Sequence, residues 1–375
     1  MLDDMKGMKM SAKNILKQLL REKVSNAQLC AKWQKRKGPK AAELRSFLGW
    51  SPKRYRKTLV ELTKVVETDM CARKWDTIEF SHVPSLAMSR YRKAFERHTP
   101  AFAAFTQKLA SGDKSVKINA GAVYPYDVIK QYIPTGGYYY GVRKPSLTER
   151  QAIVAQWEAL PNFVGDASIL PMVDVSGSMT SKAGGYQSKT DLTCLQVAVS
   201  LGLYLADKNK GAFKDTFLTF SGKPELLHLK GDIIDKIDQM SSSQWQMNTD
   251  FVLALKKILK TAIDGNVARE DMPKILLVLS DMQFDAADRH GNTATDEVRR
   301  LYNEAGYDVP NIVYWNLNAY DNVPVKYDTR GTALVSGFSP TIVKAVLATD
   351  LDNMTPEAVM LKAIMVPRYD LVESE

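Results

Sequence analysis

Asp174, Ser176 and Ser178 place one carboxylate and two hydroxyl groups at alternate positions along the chain. The five apolar residues before them, 169–173, predict a buried parallel strand that ends at Asp174. Open α/β sheets hold their ligands at the carboxyl ends of the strands. Oxygen atoms in that position suit Mg²⁺, and also Mn²⁺ or Ca²⁺, because these hard cations prefer oxygen ligands.

Two further oxygen-bearing side chains stand at comparable places in the sequence. The apolar run 274–280 predicts a second buried strand, and it ends at Asp281. Thr249 stands on a loop just before a strongly amphipathic helix predicted over 251–263. The carboxyl ends of parallel strands meet at one edge of the sheet, so we expect Asp281 to lie near Asp174.

The fold class follows from the way predicted strands and helices alternate. Continuous apolar strands separated by helices indicate a mostly parallel, doubly wound sheet that is covered on both faces, an α/β Rossmann-like domain. The predicted strands are 169–173, 216–220, 225–229, 274–281, 312–317 and 332–335, and the predicted helices are 192–205, 232–240, 251–263, 295–305 and 339–347.

Charge divides the chain into two parts. Residues 1–150 hold 30 Lys and Arg against 13 Asp and Glu, which gives +17, and the remaining 21 basic and 29 acidic residues give −8. At 375 residues the chain is also longer than one hydrophobic core usually supports. We therefore predict a basic, mainly α-helical domain over 1–150 and the α/β domain over 151–375.

The basic half is suited to binding a polyanion, because neutralisation of phosphates dominates affinity for nucleic acids. Aromatic side chains among the cations could also stack on bases. The alternative is that the aromatic residues pack in the core while the charges are solvated, and no RNP, KH or recognition-helix pattern decides between the two. The candidate nucleic-acid-binding residues are Lys35, Arg36, Lys37, Lys53, Arg54, Tyr55, Arg56, Lys57, Arg90, Tyr91, Arg92 and Lys93.

Cysteine content and hydropathy predict the compartment. Cys30, Cys71 and Cys194 are odd in number and widely spaced, which favours reduced thiols over disulfides or a zinc site. No apolar run approaches the ~18 residues of a membrane span, and the first residues do not form a signal peptide. We expect a protein of the cytoplasm, or of the host cytoplasm if the source is a phage or virus, with no membrane partner.

The order D-x-S-x-S, then Thr, then Asp resembles the metal-ion-dependent adhesion site (MIDAS) of von Willebrand factor A-type (vWA) domains. Several sequence segments further resemble a poorly characterised plant, viral and phage family that joins a helical segment to a vWA domain. A more distant similarity is to the Ro ribonucleoprotein (TROVE) group, although about 150 residues are too few for its closed ring of helical repeats. The segments that resemble the plant, viral and phage family are Val83–Met88, Lys117–Gly121, Met247–Phe251, Ser280–Asp285, Trp315–Leu317 and Ala333–Phe338.

The resemblance implies that Asp174, Ser176, Ser178, Thr249 and Asp281 surround one divalent cation, whose open position accepts an acidic group from a partner. We expect a non-enzymatic accessory protein that binds single-stranded DNA or RNA and recruits a protein such as a polymerase. One alternative is an adaptor without a nucleic-acid role, working with an AAA-type ATPase. The other is a metal-dependent phosphoesterase with Asp250 or Asp285 as general base.

The sequence lacks the patterns of several common enzyme classes. It contains no G-x-x-x-x-G-K-[ST], H-E-x-x-H or G-x-S-x-G motif. Asp250 and Asp285 also suit structural positions at the starts of helices. The sequence therefore favours a binding protein, and it leaves the oligomeric state open.

Overall fold

The structure is a computed structural model in which the chain forms two compact units, Met1–Glu79 and Phe80–Glu375. It describes residues 31, 34–63, 65–133, 143–162, 164, 168–186, 188–242, 250–281, 292–318, 332–337, 360, 361 and 365. The predicted helix over 339–347 lies outside the described residues.

The first unit is helical in its described part, with α1 (Pro39–Leu48), α2 (Pro52–Thr63) and α3 (Val66–Cys71). Helix α1 ends at Gly49, whose φ of 65° is the left-handed conformation that glycine adopts without a steric penalty. Helix α2 buries Tyr55, Leu59 and Leu62, which share one face because they are four and three residues apart. These side chains form a small core with those of α1.

The second unit contains eight further α-helices in its described part, together with the sheet. Four helices precede the sheet: α4 (Ser85–His98), α5 (Pro100–Ala110), α6 (Pro125–Ile129) and α7 (Leu147–Glu158). Four alternate with its strands: α8 (Cys194–Lys208), α9 (Ile233–Ser242), α10 (Phe251–Asp264) and α11 (Asn292–Glu304).

The sheet has six strands in the order β3-β2-β1-β4-β5-β6. All neighbouring pairs are parallel except β2 and β3, which are antiparallel. The strands are β1 (Ile169–Val173), β2 (Thr216–Thr219), β3 (Leu226–His228), β4 (Ile275–Ser280), β5 (Asn311–Asn316) and β6 (Thr332–Ser336). The predicted α/β class is confirmed, and the strand order reverses at β1 and β4, where doubly wound sheets bind ligands.

Alternate residues of each strand supply two separate cores, one on each face of the sheet. Val173, Leu277 and Trp315 pack with α8 and α9 on one face. Met172 and Val278 pack with α10 and α11 on the other. Both faces are therefore covered by helices, which explains why β1 and β4 are apolar at consecutive positions.

The sheet also packs against the helices that precede it in sequence. Val128, Ile129 and Trp157, from α6 and α7, belong to the same apolar core as Val173. The compact unit begins at Phe80, earlier than the predicted division between residues 150 and 151, which stays a prediction. Within the described part of the chain, no helix is long and apolar enough to cross a membrane.

Helix α8 lies unusually close to β1 at Gly202. A Cβ atom on this glycine would stand 2.4 Å from Cγ2 of Val173, so only glycine permits the approach without a shift. Val173 is the last residue of β1 and precedes Asp174. The helix therefore supports the end of the strand from which the candidate site begins.

Candidate functional site

Asp174 and Asp281 follow directly after the two central strands of the sheet. Val173 pairs with Leu279 across β1 and β4, and the backbone N–H of Asp174 donates to the carbonyl of Leu279 at 2.9 Å. Neighbouring strands are about 4.8 Å apart. In this register Asp174 lies level with Ser280, one residue before Asp281, so the two aspartates are close at the carboxyl edge. Both side chains are buried.

The carboxylate of Asp174 is held by groups from both strands. Its Oδ1 accepts the backbone N–H of Ser176 at 2.9 Å, and its Oδ2 accepts the hydroxyl of Ser280 at 2.7 Å. Burial raises the pKa of Asp174, the bonds from Ser176 and Ser280 oppose the rise, and the negative charge of Asp281 adds to it. Two buried carboxylates that are both negatively charged are stabilised by a cation between or beside them.

Ser176 and Ser178 lie on the turn that follows β1. Gly177–Thr180 form a short 3₁₀ helix, and this turn brings the two hydroxyl oxygens to 3.0 Å from each other. Both serines are partly exposed, whereas Asp174 is buried. Four of the five predicted ligands thus belong to one edge of the sheet, with carboxylates on the buried side and hydroxyls nearer to solvent.

The loop after this turn is tied to the end of β5. Asn318 donates its side-chain N–H to the hydroxyl of Ser181 at 2.9 Å, and the backbone N–H of Gly184 donates to Leu317 at 2.7 Å. Gly185 has a φ of 77°, and a Cβ there would stand 2.7 Å from the carbonyl oxygen of Asn318. Sequence reasoning did not identify Ser181 or Asn318, because no local pattern links residues 137 positions apart.

Cys194 begins helix α8 behind the site and is fully buried. Its thiol lies 3.8 Å from the hydroxyl of Ser181. Burial, together with the negative charges of Asp281 and Asp174, raises the pKa of the thiol to about 11. This cysteine is therefore a neutral packing residue next to the two carboxylates.

Thr249, the fifth predicted ligand, lies outside the described residues, as does Asp285. Asp250 is described and begins α10, where its carboxylate accepts the backbone N–H of Leu253 at 2.8 Å. Its own N–H donates to the carbonyl of Ser221, two residues beyond β2, at 3.4 Å. The chain therefore returns at residue 250 to the carboxyl end of β2, the strand that neighbours β1.

The chemistry of the donor set fits a hard divalent cation. No group of three or more His, Cys, Asp or Glu side chains that could hold a metal occurs among the described residues. A cation at the strand ends would consequently depend on the carboxylates of Asp174 and Asp281, on hydroxyl oxygens and on water. Mg²⁺ accepts such a set, because it commonly keeps several waters and needs few carboxylates.

In the first unit, the predicted basic residues form two clusters, at 35–37 and at 53–57, that adjoin each other. The hydroxyl of Tyr55 donates to the carbonyl of Lys35 at 2.9 Å, and the guanidinium of Arg36 donates to the hydroxyl of Thr63 at 3.2 Å. The guanidinium of Arg54 lies over the ring of Trp50, 5.0 Å from its centroid. Exposed cations of the clusters are Lys35, Arg36, Lys37, Lys53, Arg54, Arg56 and Lys57.

The structure corrects the predicted role of Tyr55. Its side chain has no exposed surface, so the ring cannot stack on a base. It belongs instead to the core of the first unit and holds the segment at Lys35 against α2. The heptad-like spacing of Tyr55, Leu59 and Leu62 is the sequence signal that indicates this buried position.

The structure likewise corrects the predicted role of Arg92, whose side chain is 1% exposed. It shares the buried face of α4 with Met88 and Phe95, and its guanidinium donates to the carbonyl of Val128 at 2.9 Å. Arg90 and Lys93 are exposed. Tyr91 is partly exposed, and its ring packs edge-on against Phe95.

Fold and site together define a doubly wound α/β protein with a carboxylate and hydroxyl site at the carboxyl edge of its sheet, preceded by helices. Residues 168–364 match the family "Domain of unknown function (DUF7788)", and this match covers more than half of the chain. The chain therefore belongs to that family. Residues 10–169 match a second one, "Domain of unknown function (DUF2828)".

Two individual proteins are similar over most of the chain. "Uncharacterized protein L728" of Acanthamoeba polyphaga mimivirus is 28% identical over 369 residues; the match covers 90% of this chain and 60% of that relative's length. The crystal structure of the Deinococcus radiodurans RO (RSR) protein is similar with a TM-score of 0.42 and 16% identity. That match covers 90% of this chain and 74% of the RO chain.

Proposed function

We propose that this protein is a non-enzymatic binding protein with a divalent-cation site of the MIDAS type at the edge of a vWA-like domain. The observation that carries the proposal is the pair Asp174 and Asp281, two buried carboxylates on adjacent parallel strands. Ser176 and Ser178 add two hydroxyl oxygens on the solvent side, and Thr249 is proposed as the fifth ligand. Burying two like charges is costly unless a cation accompanies them.

The cation of this site would be Mg²⁺, or Mn²⁺ or Ca²⁺, and would supply an electrophilic position for a ligand oxygen. The two carboxylates balance the formal +2 charge, and hydroxyl oxygens and water fill the other coordination positions. An acidic side chain of a protein partner is an oxygen ligand of the kind that these cations prefer, and it would displace one of the waters. The partner proposed is a nucleic-acid enzyme such as a polymerase, with an AAA-type ATPase as the alternative.

Thermal unfolding with and without MgCl₂ tests the metal site. A ligand at 100 times its dissociation constant stabilises the folded state by about 2.7 kcal/mol, so we expect a rise of roughly 5 °C in melting temperature. Asp281→Asn should abolish this rise without lowering the melting temperature of the metal-free protein, because it removes one of two buried like charges. A variant that melts lower without metal and still responds to Mg²⁺ would refute the role of Asp281.

We also propose that the first unit binds single-stranded nucleic acid, DNA or RNA. Residues 34–63 contain nine Lys and Arg against two Glu, and the Tyr55–Lys35 bond holds the two clusters together. Because each neutralised phosphate releases counterions, binding by this surface must weaken steeply with salt. Replacing Lys35, Arg36 and Lys37 with glutamine should weaken binding of a labelled oligonucleotide. It should also reduce the slope of the logarithm of the binding constant against the logarithm of salt concentration by about 2.

Hydrolysis is the less favoured function. A metal-dependent phosphoesterase needs a general base or a second metal ion next to the first. The carboxylate of Asp250 instead accepts a backbone N–H at the start of α10, which occupies it structurally. Incubation of a labelled oligonucleotide with the protein and Mn²⁺ should leave it intact, and cleavage that is lost in Asp174→Asn would establish the enzymatic alternative.

A further inference from the structure

Helix α4 of the second unit carries a row of exposed cations on the side opposite its buried face. Ser85, Met88, Ser89, Arg92 and Phe95 are buried, whereas Arg90, Lys93 and Arg97 are exposed. The exposed three are spaced by three and four residues, so they share one side of the helix. At a rise of about 1.5 Å per residue, the row extends over roughly 10 Å.

A fourth cation, Arg143, lies beside this row. Its guanidinium donates to Oε2 of Glu149 at 2.9 Å and lies 5.4 Å from the centre of the Tyr132 ring. The buried guanidinium of Arg92 approaches the same ring at 5.5 Å and the same carboxylate at 3.7 Å. Tyr132 and Glu149 therefore fix the position of Arg143 next to α4.

The acidic groups near this row have other partners. Glu149 is buried and accepts from both Tyr132 and Arg143, so its charge is shared with cations already present. Glu96 accepts the hydroxyl of Ser146. Within the described part of the chain, Arg90, Lys93 and Arg97 form no ion pair with an acidic side chain.

Lys93 lies within electrostatic range of Arg143 and Arg97. Loss of part of its hydration to neighbouring groups lowers the pKa of Lys93, and the positive charges of Arg143, Arg92 and Arg97 lower it further. The negative charge of Glu149 opposes this shift. Cations near the end of a helix are favoured by its dipole, which accounts for Arg97 but not for Arg90 or Lys93. Like charges in such a row destabilise a free helix, and a bound polyanion relieves the repulsion.

We propose that Arg90, Lys93, Arg97 and Arg143, here called the α4 cation face, bind the phosphodiester backbone of a single-stranded nucleic acid. This inference deepens the proposed nucleic-acid function by placing a second contact on the unit that carries the sheet. It also changes the set of candidate nucleic-acid-binding residues. Arg97 and Arg143 are added to that set, and the buried Arg92 acts only in positioning Tyr132 and Glu149. Each cation contacts phosphate and not a base, so the face contributes affinity without sequence preference.

The test measures how the affinity of the full chain for a fluorescein-labelled oligouridine depends on salt. Fluorescence anisotropy gives the dissociation constant between about 50 and 200 mM NaCl, and the slope of its logarithm counts neutralised phosphates at about 0.7 each for single strands. The test variant is Arg90→Gln/Lys93→Gln/Arg97→Gln. The control variant, Lys214→Gln/Lys223→Gln/Lys257→Gln, removes three exposed lysines elsewhere in the second unit.

The proposal predicts that the test variant loses about 2 units of slope and at least tenfold in affinity at low salt, while the control variant matches wild type. Equal losses in both variants would show an effect of net charge alone and overturn the α4 cation face. An unchanged test variant would also overturn it, while leaving the first unit as the binding surface. If the wild-type chain binds no oligouridine at the lowest salt, both nucleic-acid proposals fail.

A charge-preserving variant separates binding from folding. Arg90→Lys/Arg97→Lys keeps the three positive charges of the row and should retain the wild-type slope. Because the three side chains are exposed, circular dichroism and the melting temperature of every variant should match wild type. A loss of slope in the lysine variant equal to that of the glutamine variant would contradict the proposed phosphate contact.

Discussion

The hydroxyl of Ser280, the last residue of β4, donates a hydrogen bond of 2.7 Å to the carboxylate of Asp174, the first residue after β1. The two residues are 106 positions apart, and both are buried. This bond joins the ends of the two central strands and fixes the orientation of the Asp174 carboxylate. It leaves Ser280 as a support of the candidate metal site and not a ligand.

Ser280→Ala should therefore lower both stability and metal affinity. Loss of a hydrogen bond to a buried carboxylate is expected to cost about 1.5–3 kcal/mol in the free energy of unfolding. Removing a group that orients a metal ligand commonly weakens the metal site by about 10- to 100-fold. Urea denaturation and Mn²⁺ titration measure the two effects.

Ser111→Ala provides the control for this substitution, because the Ser111 hydroxyl bonds a backbone carbonyl at an exposed position. It should change stability by less than about 0.5 kcal/mol. The interpretation fails if Ser280→Ala behaves like this control in both measurements.

Lys236 forms the centre of a second buried polar group, on α9. Its ammonium lies 3.0 Å from Asp207 and 2.6 Å from Asp215. Replacing it with methionine removes the cation that the two partly buried carboxylates share and leaves Asp207 with Lys208 alone, which should destabilise the fold by about 3 kcal/mol. Chemical denaturation measures this change, and Lys214→Met, at an exposed position, should have little effect.

The same lysine predicts a pH dependence of stability. Burial works to lower the pKa of Lys236, but the hydrogen bonds that its ammonium donates to Asp215 and Asp207 outweigh it, and the pKa is raised. A raised pKa in the folded state means that this contribution is present in full below the ordinary lysine pKa of about 10.4. It is lost as the pH rises through the folded-state value. Wild type should lose this contribution above pH 10, and Lys236→Met should lack that part of the decline.

Tyr55→Phe should loosen the basic surface of the first unit. The substitution removes the hydrogen bond to Lys35 but keeps the buried ring, so the expected cost is about 1 kcal/mol. Amide hydrogen exchange should increase around Lys35 and not in the sheet. An unchanged exchange rate at residues 34–37 would show that the bond does not hold this segment.

Cys194 should resist alkylation in the folded protein. Its pKa of about 11 leaves about one thiol in a thousand ionised at pH 8, and the thiolate is the reactive form. Cys71 is exposed and should react with iodoacetamide first. Peptide mass spectrometry should find Cys194 modified only after unfolding; equal rates for the two would contradict the buried position of Cys194.

Periodicity was sufficient to predict most of the sheet. The prediction of 274–281 as a strand agrees with β4 (Ile275–Ser280), and 251–263 agrees with α10 (Phe251–Asp264). Continuous apolar runs identify parallel strands that are covered on both faces. The antiparallel direction of β3 was not predicted, because it depends on pairing with β2 and not on its own residues.

Those ligands of the candidate site that directly follow a strand could be predicted from the sequence. Asp174 and Asp281 were identified in this way, and the structure places them on adjacent strands. Asn318 could not be found, since only the tertiary structure brings it to Ser181. The burial of Arg92 carries a partial signal, because Met88 and Phe95 share its helical face, but its partners Val128 and Glu149 are long-range.

Binding of Mn²⁺ to the metal-free chain, followed by electron paramagnetic resonance, tests the proposed metal site most directly. Free Mn²⁺ gives a strong spectrum that is lost on binding, so the titration counts bound ions. Wild type should bind one Mn²⁺ per chain, Mg²⁺ should displace it, and Asp174→Asn should weaken binding at least tenfold. A wild-type chain that binds no Mn²⁺, or an Asp174→Asn variant that binds it equally well, would contradict the proposed site.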